Sequence, residues 1–213
     1  QPAAQFFSDL SLIRSSGAGV PETSYYPALS RLLDEIGRTL KPKVACIINP
    51  ASQGAGIPDG GFYTADQLRK VPDRNNPPPD LVPTRGVLEV KPPSHDLDTL
   101  IQSEQVAKYF NRYGLVLVTN LRAFALVGSG PDGQPEALER YELAPDEKSF
   151  LAALAHPHKM AMEQGPRLEE YLSRVLTHNA PLKTPQDVAC LLASYARDAK
   201  SRIENGDLET LTA

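Results

Sequence analysis

The run from Gly86 to Lys91, with the sequence GVLEVK, is a short apolar segment that carries an acid and a base two residues apart. Side chains alternate between the two faces of a strand, so Glu89 and Lys91 project to one face and their apolar neighbours to the other. A buried charge is costly unless it is paired or bound to a metal ion. The run therefore predicts a strand on which an acid and an ammonium group lie side by side.

Two Pro-Asp pairs upstream offer a second carboxylate. Asp59 follows a glycine-rich bend and precedes the run Phe62–Thr64, which we interpret as a strand, so sheet hydrogen bonds are expected to hold its backbone. Asp80 is nearer to Glu89 in sequence, but it lies in the proline-rich stretch 68–85, which suits neither helix nor strand. We therefore favour Asp59 and keep Asp80 as the alternative.

Two carboxylates beside a lysine form a site for a hard cation such as Mg²⁺. Such a cation polarises a phosphate group and lowers the pKa of a bound water, and the lysine can orient that water. The pattern is thus typical of phosphodiester hydrolysis. A surface ion pair on an edge strand is the alternative interpretation, because the Glu-x-Lys triplet is short.

Composition limits the class of protein. The 213 residues can form one good core with an appendage, or two small domains. A hydrophobic fraction of 41% and a charged fraction of 23% are ordinary for a soluble globular protein. No apolar run approaches the length of a membrane span and no signal peptide is evident, so we predict a cytoplasmic protein. The net charge of −4 argues against a generally basic surface and leaves room for a local basic patch at 69–91.

The order of predicted elements gives the fold class. Apolar spacing predicts a helix from Glu22 to about Leu40 and a second helix from Asp98 to Tyr113. Strands are predicted at 43–49, 62–64, 86–91, 115–119, 123–127 and 139–143. Strand pairs interrupted by helices indicate an α/β fold with a mixed sheet. From Ser149 onward the pattern is helical, with apolar stripes at 168–176 and 188–203.

The order of these motifs resembles the PD-(D/E)XK nuclease superfamily. The matching features are an acid on the first helix, Pro58-Asp59, the Glu89-Val90-Lys91 strand and a helix with Gln105 and Tyr109. The runs 54–59 and 112–120 resemble the amino-terminal nuclease region of single-chain restriction-modification proteins that carry an N6-adenine methyltransferase. The resemblance implies a restriction-endonuclease-like mixed sheet flanked by helices and followed by an all-helical segment.

The resemblance also assigns roles to residues. Asp59 and Glu89 would bind Mg²⁺, for which Mn²⁺ can substitute, with the carbonyl of Val90 completing the shell. Lys91 would position the attacking water, and Glu22 would reach a second cation or a metal-bound water. Gln105 and Tyr109 lie one helical turn apart and would support the active-site face or a DNA phosphate; a helix packed on the sheet with a buried tyrosine is the structural alternative.

The expected domains are a nuclease domain at 1–145 and a helical spacer at 146–213 that leads to a missing downstream region. The expected function is Mg²⁺-dependent cleavage of double-stranded DNA, with the methyltransferase and sequence recognition elsewhere in the same parent chain and no membrane partner. Two other functions remain open at this point: a non-catalytic nuclease-fold module that binds DNA or serves as a scaffold, and a phosphohydrolase acting on nucleotides or RNA.

Overall fold

A computed structural model describes residues 1–15, 22–50, 56–69, 71, 73, 78 and 81–178. At its centre these residues form a six-stranded sheet. The strands are β1 (Val44–Ile48), β2 (Gly60–Thr64), β3 (Val87–Val90), β4 (Val116–Thr119), β5 (Ala123–Ser129) and β6 (Pro135–Glu142). They lie in the sheet in chain order, with β3 and β4 parallel and every other neighbouring pair antiparallel. The predicted mixed sheet is confirmed.

Seven helices flank the sheet within the described residues. They are α1 (Pro2–Ser15), α2 (Tyr26–Gly37), α3 (Ala65–Leu68), α4 (Leu97–Ile101), α5 (Glu104–Tyr113), α6 (Glu147–Leu154) and α7 (Pro157–Thr177). A single 3-10 turn, Glu22–Tyr25, leads into α2. Parallel strands cannot be joined by a tight hairpin, and α4 with α5 provides the crossover between β3 and β4.

The two faces of the sheet bury separate apolar cores. Leu88 and Val90 of β3 belong to a core shared with α1, α2, α6 and α7. Val87, on the opposite face of the same strand, belongs to a core shared with α4 and α5. Because side chains alternate along a strand, Glu89 shares the Val87 face and points toward α5. The packing of both faces therefore fixes the register of β3 and with it the direction of Glu89.

The structure differs from the sequence prediction in several elements. The helix predicted from Glu22 begins at Tyr26, because Glu22 lies in the preceding 3-10 turn, and the short helix α3 was not predicted. The helix expected from Asp98 to Tyr113 is divided into α4 and α5, because the Ser103 side chain accepts a hydrogen bond from the Val106 N–H and starts a new helix. The last strand begins at Pro135, four residues before the predicted start. Helix α1 is an additional element, which buries Phe6, Phe7 and Leu10 in the core.

The helices after the sheet pack on the first helix. The α6 residue Phe150 and the α7 residues Leu168, Tyr171 and Leu172 are buried in the same core as α1. The apolar stripe predicted at 168–176 is thus confirmed as a buried helix face. The stripe predicted at 188–203 lies outside the described residues, and the function of 146–213 as a spacer stays a prediction. No described helix has both the length and the apolar character that crossing a membrane requires.

Candidate functional site

The pairing of β2 with β3 brings the two predicted metal acids together. Gly60 lies opposite Leu88 in the antiparallel ladder, so Asp59, one residue before β2, lies beside the end of β3. The Val90 N–H donates a hydrogen bond of 2.8 Å to Oδ2 of Asp59. Asn49 donates its N–H to the Asp59 carbonyl at 2.9 Å. Both the backbone and the carboxylate of Asp59 are therefore held by strands of the sheet.

Lys91 follows β3 directly and lies at the centre of the cluster. Its backbone N–H donates to the Thr119 carbonyl at 2.8 Å, which continues the parallel pairing with β4 beyond the last strand residue. Its Nζ lies 2.8 Å from Oε1 of Glu89 and donates to the Val90 carbonyl at 3.0 Å. Burial works against the charge of this ammonium, but its hydrogen bond and charge interaction with Glu89 outweigh burial and raise the pKa of Lys91.

Glu89 is the most enclosed charged group of the site, with none of its side chain exposed. Its Oε2 accepts a hydrogen bond of 3.3 Å from Nε2 of Gln105. Its Oε1 lies 2.8 Å from Nζ of Lys91. Burial raises the pKa of Glu89 to about 7, with the Lys91 hydrogen bond opposing the shift and the Asp59 charge adding to it. Each buried oxygen of Glu89 thus has one close polar contact and keeps lone-pair capacity for a further partner.

Gln105 and Tyr109 connect Glu89 to the loop that precedes Asp59. They lie four residues apart on α5, and Nε2 of Gln105 donates to the Tyr109 hydroxyl at 3.1 Å. That hydroxyl donates to the Ile57 carbonyl at 2.8 Å. The ring of Tyr109 is buried beneath α5, and burial raises the pKa of its hydroxyl. The pair therefore ties Glu89 and the segment before Asp59 to one helix.

Glu22 and Tyr26, from the first part of the chain, contact Lys91 and Asp59. Oε1 of Glu22 lies 3.5 Å from Nζ of Lys91. The Tyr26 hydroxyl lies 2.9 Å from the same oxygen of Glu22 and 2.6 Å from Oδ1 of Asp59. Burial, followed by the hydrogen bond and charge of Asp59, raises the pKa of Tyr26, so its hydroxyl keeps its proton at neutral pH. The cluster is partly open, since the side chains of Glu22 and Lys91 are 26% and 24% exposed.

The donor set suits a hard cation. Among the described residues no three His, Cys, Asp or Glu side chains lie close enough to form a metal site by themselves. Mg²⁺ usually binds through one or two carboxylates and completes its shell with water and substrate phosphate. Asp59 and Glu89 supply two carboxylates, and the Val90 carbonyl is adjacent. When ionised, Glu22, Asp59 and Glu89 bring three negative charges against the one positive charge of Lys91, an excess that a divalent cation offsets.

Comparisons with known proteins give limited matches. No family model and no curated protein matches this chain. The similar solved structures include a chain of the cryo-EM structure of the DrdV–DNA complex, with 21% sequence identity and a TM-score of 0.49. The matched region covers 73% of this chain and 96% of that chain.

The predicted site residues that the structure describes lie in one place. They are Glu22, Asp59, Glu89, Val90, Lys91, Gln105 and Tyr109. Their catalytic and metal-binding roles stay predictions. Asp80, the alternative metal acid, lies outside the described residues.

Tyr26 lies within the helix predicted from Glu22 to about Leu40, and its contact with two carboxylates was not predicted from the sequence. Its spacing of four residues from Glu22 is a signal that an acid and a hydroxyl share one side of a helical turn.

Proposed function

We propose that this chain is a Mg²⁺-dependent DNA endonuclease domain of the PD-(D/E)XK superfamily, from a restriction-modification enzyme. The observation that carries the proposal is the convergence of Asp59, Glu89 and Lys91 around the backbone of Val90. The lysine supports a hydrolytic role, because an ammonium beside two carboxylates can orient a water or balance charge that develops on a phosphate.

Asp59, Glu89 and the Val90 carbonyl would hold the cation. When bound, Mg²⁺ supplies Lewis-acid polarisation of the phosphate and lowers the pKa of a bound water. Lys91 keeps its proton because its pKa is raised, and its partly exposed ammonium can orient a water or balance the charge that develops on the phosphate. Gln105 holds Glu89 from the helix side, so the acid does not turn away from the cluster.

The excess negative charge of the site makes phosphate binding depend on the cation. Glu22, Asp59 and Glu89 give the site excess negative charge, which repels a phosphate when no cation is bound. A phosphodiester is therefore expected to bind together with the cation. Cleavage should depend steeply on the concentration of Mg²⁺ or Mn²⁺.

The test is cleavage of supercoiled plasmid with Mg²⁺ by the 213-residue chain and its variants. Asp59→Asn and Lys91→Ala are expected to lower the cutting rate by at least about 100-fold, since each removes a group that contacts the reacting atoms. Asp98→Asn is the matched control, because Asp98 forms an exposed ion pair with Arg140 away from the site. It should cut at the normal rate.

The same experiment separates the competing interpretations. Loss of cutting in Asp80→Asn but not in Asp59→Asn would transfer the metal role to Asp80. Equal cutting by every variant would mean that the activity comes from a contaminant, and the endonuclease proposal would fail. DNA binding without cutting, together with Mn²⁺ affinity that Glu89→Ala leaves unchanged, would instead support a non-catalytic module. RNA and nucleoside triphosphates offered in parallel would reveal a different phosphate ester as substrate.

A further inference from the structure

Tyr26 places a hydroxyl between two acids that come from different parts of the chain. It is the first residue of α2, and its ring is 7% exposed within the apolar core. The ring therefore has little freedom to move. Its hydroxyl reaches out of the core to Oδ1 of Asp59 at 2.6 Å and to Oε1 of Glu22 at 2.9 Å.

A tyrosine hydroxyl has one proton and can donate only one hydrogen bond at a time. The distance to Asp59 is that of a strong hydrogen bond from a hydroxyl to an ionised carboxylate, and the distance to Glu22 is longer. The proton therefore belongs to the Asp59 contact. Glu22 instead has the Lys91 ammonium beside it, whose Nζ lies 3.5 Å from the same oxygen.

The Asp59 carboxylate is then held at both oxygens. Oδ1 accepts from the Tyr26 hydroxyl and Oδ2 accepts from the Val90 N–H. These two donors come from different elements, one from α2 and one from β3, and together they oppose rotation of the carboxylate. Each oxygen retains lone-pair capacity, because a carboxylate oxygen can accept more than one partner.

We infer that Tyr26 is a positioning residue for the cation: its hydroxyl fixes the orientation in which Asp59 presents its oxygens beside Glu89. The inference rests on the proposed function, because it assigns Asp59 to the cation. It goes beyond that function in naming a residue of the core helix that acts through Asp59. Hydrogen bonds to metal-binding carboxylates commonly change metal affinity or activity by about 10-fold to 100-fold when removed.

The competing role for Tyr26 is that of an apolar core residue whose hydroxyl happens to lie near the site. Tyr26→Phe separates the two roles, since phenylalanine keeps the ring and removes only the hydroxyl. A core role predicts normal cation binding in Tyr26→Phe. A positioning role predicts weaker cation binding in a protein that is still folded.

The experiment is calorimetric titration of the 213-residue chain with Mn²⁺ alone, without DNA. We expect the Kd of Tyr26→Phe for Mn²⁺ to rise about 10-fold. Tyr141→Phe is the matched control, because its hydroxyl donates to the Gln164 side chain at a distant place. Its Kd should stay within about twofold of the unchanged protein. In plasmid cleavage, Tyr26→Phe should need about 10-fold more Mg²⁺ for half-maximal rate.

Each outcome decides. An unchanged Mn²⁺ affinity in Tyr26→Phe, with normal binding by the unsubstituted chain, overturns the positioning role and leaves the endonuclease proposal standing. Absence of Mn²⁺ binding by the unsubstituted chain overturns the proposed function and this inference with it. Loss of cooperative thermal unfolding in metal-free Tyr26→Phe would also overturn the inference, because it would show that the hydroxyl serves folding.

Discussion

The backbone N–H of Val90 donates a 2.8 Å hydrogen bond to Oδ2 of Asp59. This contact joins Val90, the last residue of β3, to Asp59, the residue before β2. Glu89 and Lys91 are the sequence neighbours of Val90. The main chain of β3 thus orients one acid, Glu89 on β3 supplies a second acid, and Lys91 directly after β3 supplies a base. Support of this kind from a sheet is what precise placement of a cation requires.

The Gln105 side chain is expected to matter for both cutting and folding. Gln105→Met keeps the length of the side chain but removes the donor to Oε2 of Glu89 and to the Tyr109 hydroxyl. We expect plasmid cleavage to fall about 10-fold and the free energy of unfolding to fall by about 1 to 3 kcal/mol, because the buried Oε2 of Glu89 loses its donor. Gln102→Met, at an exposed position in the preceding turn, should cut normally. Equal cleavage rates for the two variants would show that Gln105 has no role in cutting.

The metal-free protein is expected to lose stability as the pH rises through the range from about 4.5 to about 7. The pKa of Glu89 is raised from 4.5 to about 7 by burial, so between these values the folded chain binds a proton that the unfolded chain has lost. Stability falls with increasing pH wherever the folded state binds more protons. The effect amounts to up to about 3 kcal/mol.

Urea unfolding in EDTA at several pH values between 4 and 8 measures this dependence. Glu89→Gln should flatten the slope across this window, because glutamine does not titrate. Glu142→Gln, at an exposed position of β6, should retain the slope of the unsubstituted protein. A Glu89→Gln protein with an unaltered slope would show that another group holds the proton.

Gly86 is expected to be essential for the strand that carries the site. Its φ of +91° is disfavoured for other residues, and a Cβ there would lie 2.6 Å from the Leu115 carbonyl oxygen. Gly86→Ala should therefore lower the free energy of unfolding by about 3 kcal/mol or more. Gly133→Ala has a similar φ of +80° but open space around the Cβ, so we expect a cost of about 1 kcal/mol. Similar losses of stability for both in urea titrations would refute the steric explanation.

Helix α1 is expected to contribute strongly to stability and to unfold together with the sheet. Phe7 is fully buried between helices, whereas Leu12 on the same helix is 68% exposed. Phe7→Ala should cost about 3 to 5 kcal/mol through lost burial and a cavity, and Leu12→Ala less than about 1 kcal/mol. Urea unfolding followed by circular dichroism and by tyrosine fluorescence should give coincident transitions. Two separated transitions in Phe7→Ala would mean that α1 and α7 unfold apart from the sheet.

The sequence alone determined which residues share a face. Alternation along a strand placed Glu89 and Lys91 together, and the four-residue spacing on a helix did the same for Gln105 and Tyr109. The position of Asp59 just before β2 was also predictable, because a glycine bend followed by an apolar run indicates the start of a strand. These relations depend on local geometry, which neighbouring residues set.

Only the tertiary structure decided how these local pieces meet. The order of the strands, with a parallel pair formed by β3 and β4, brings Asp59 to Val90 and turns Glu89 toward α5. The contact of Tyr26 with Asp59 spans 33 residues and follows from the packing of α2 on the sheet. Residue spacing cannot reveal such contacts, because they depend on which apolar faces bury one another and on the angle at which they pack.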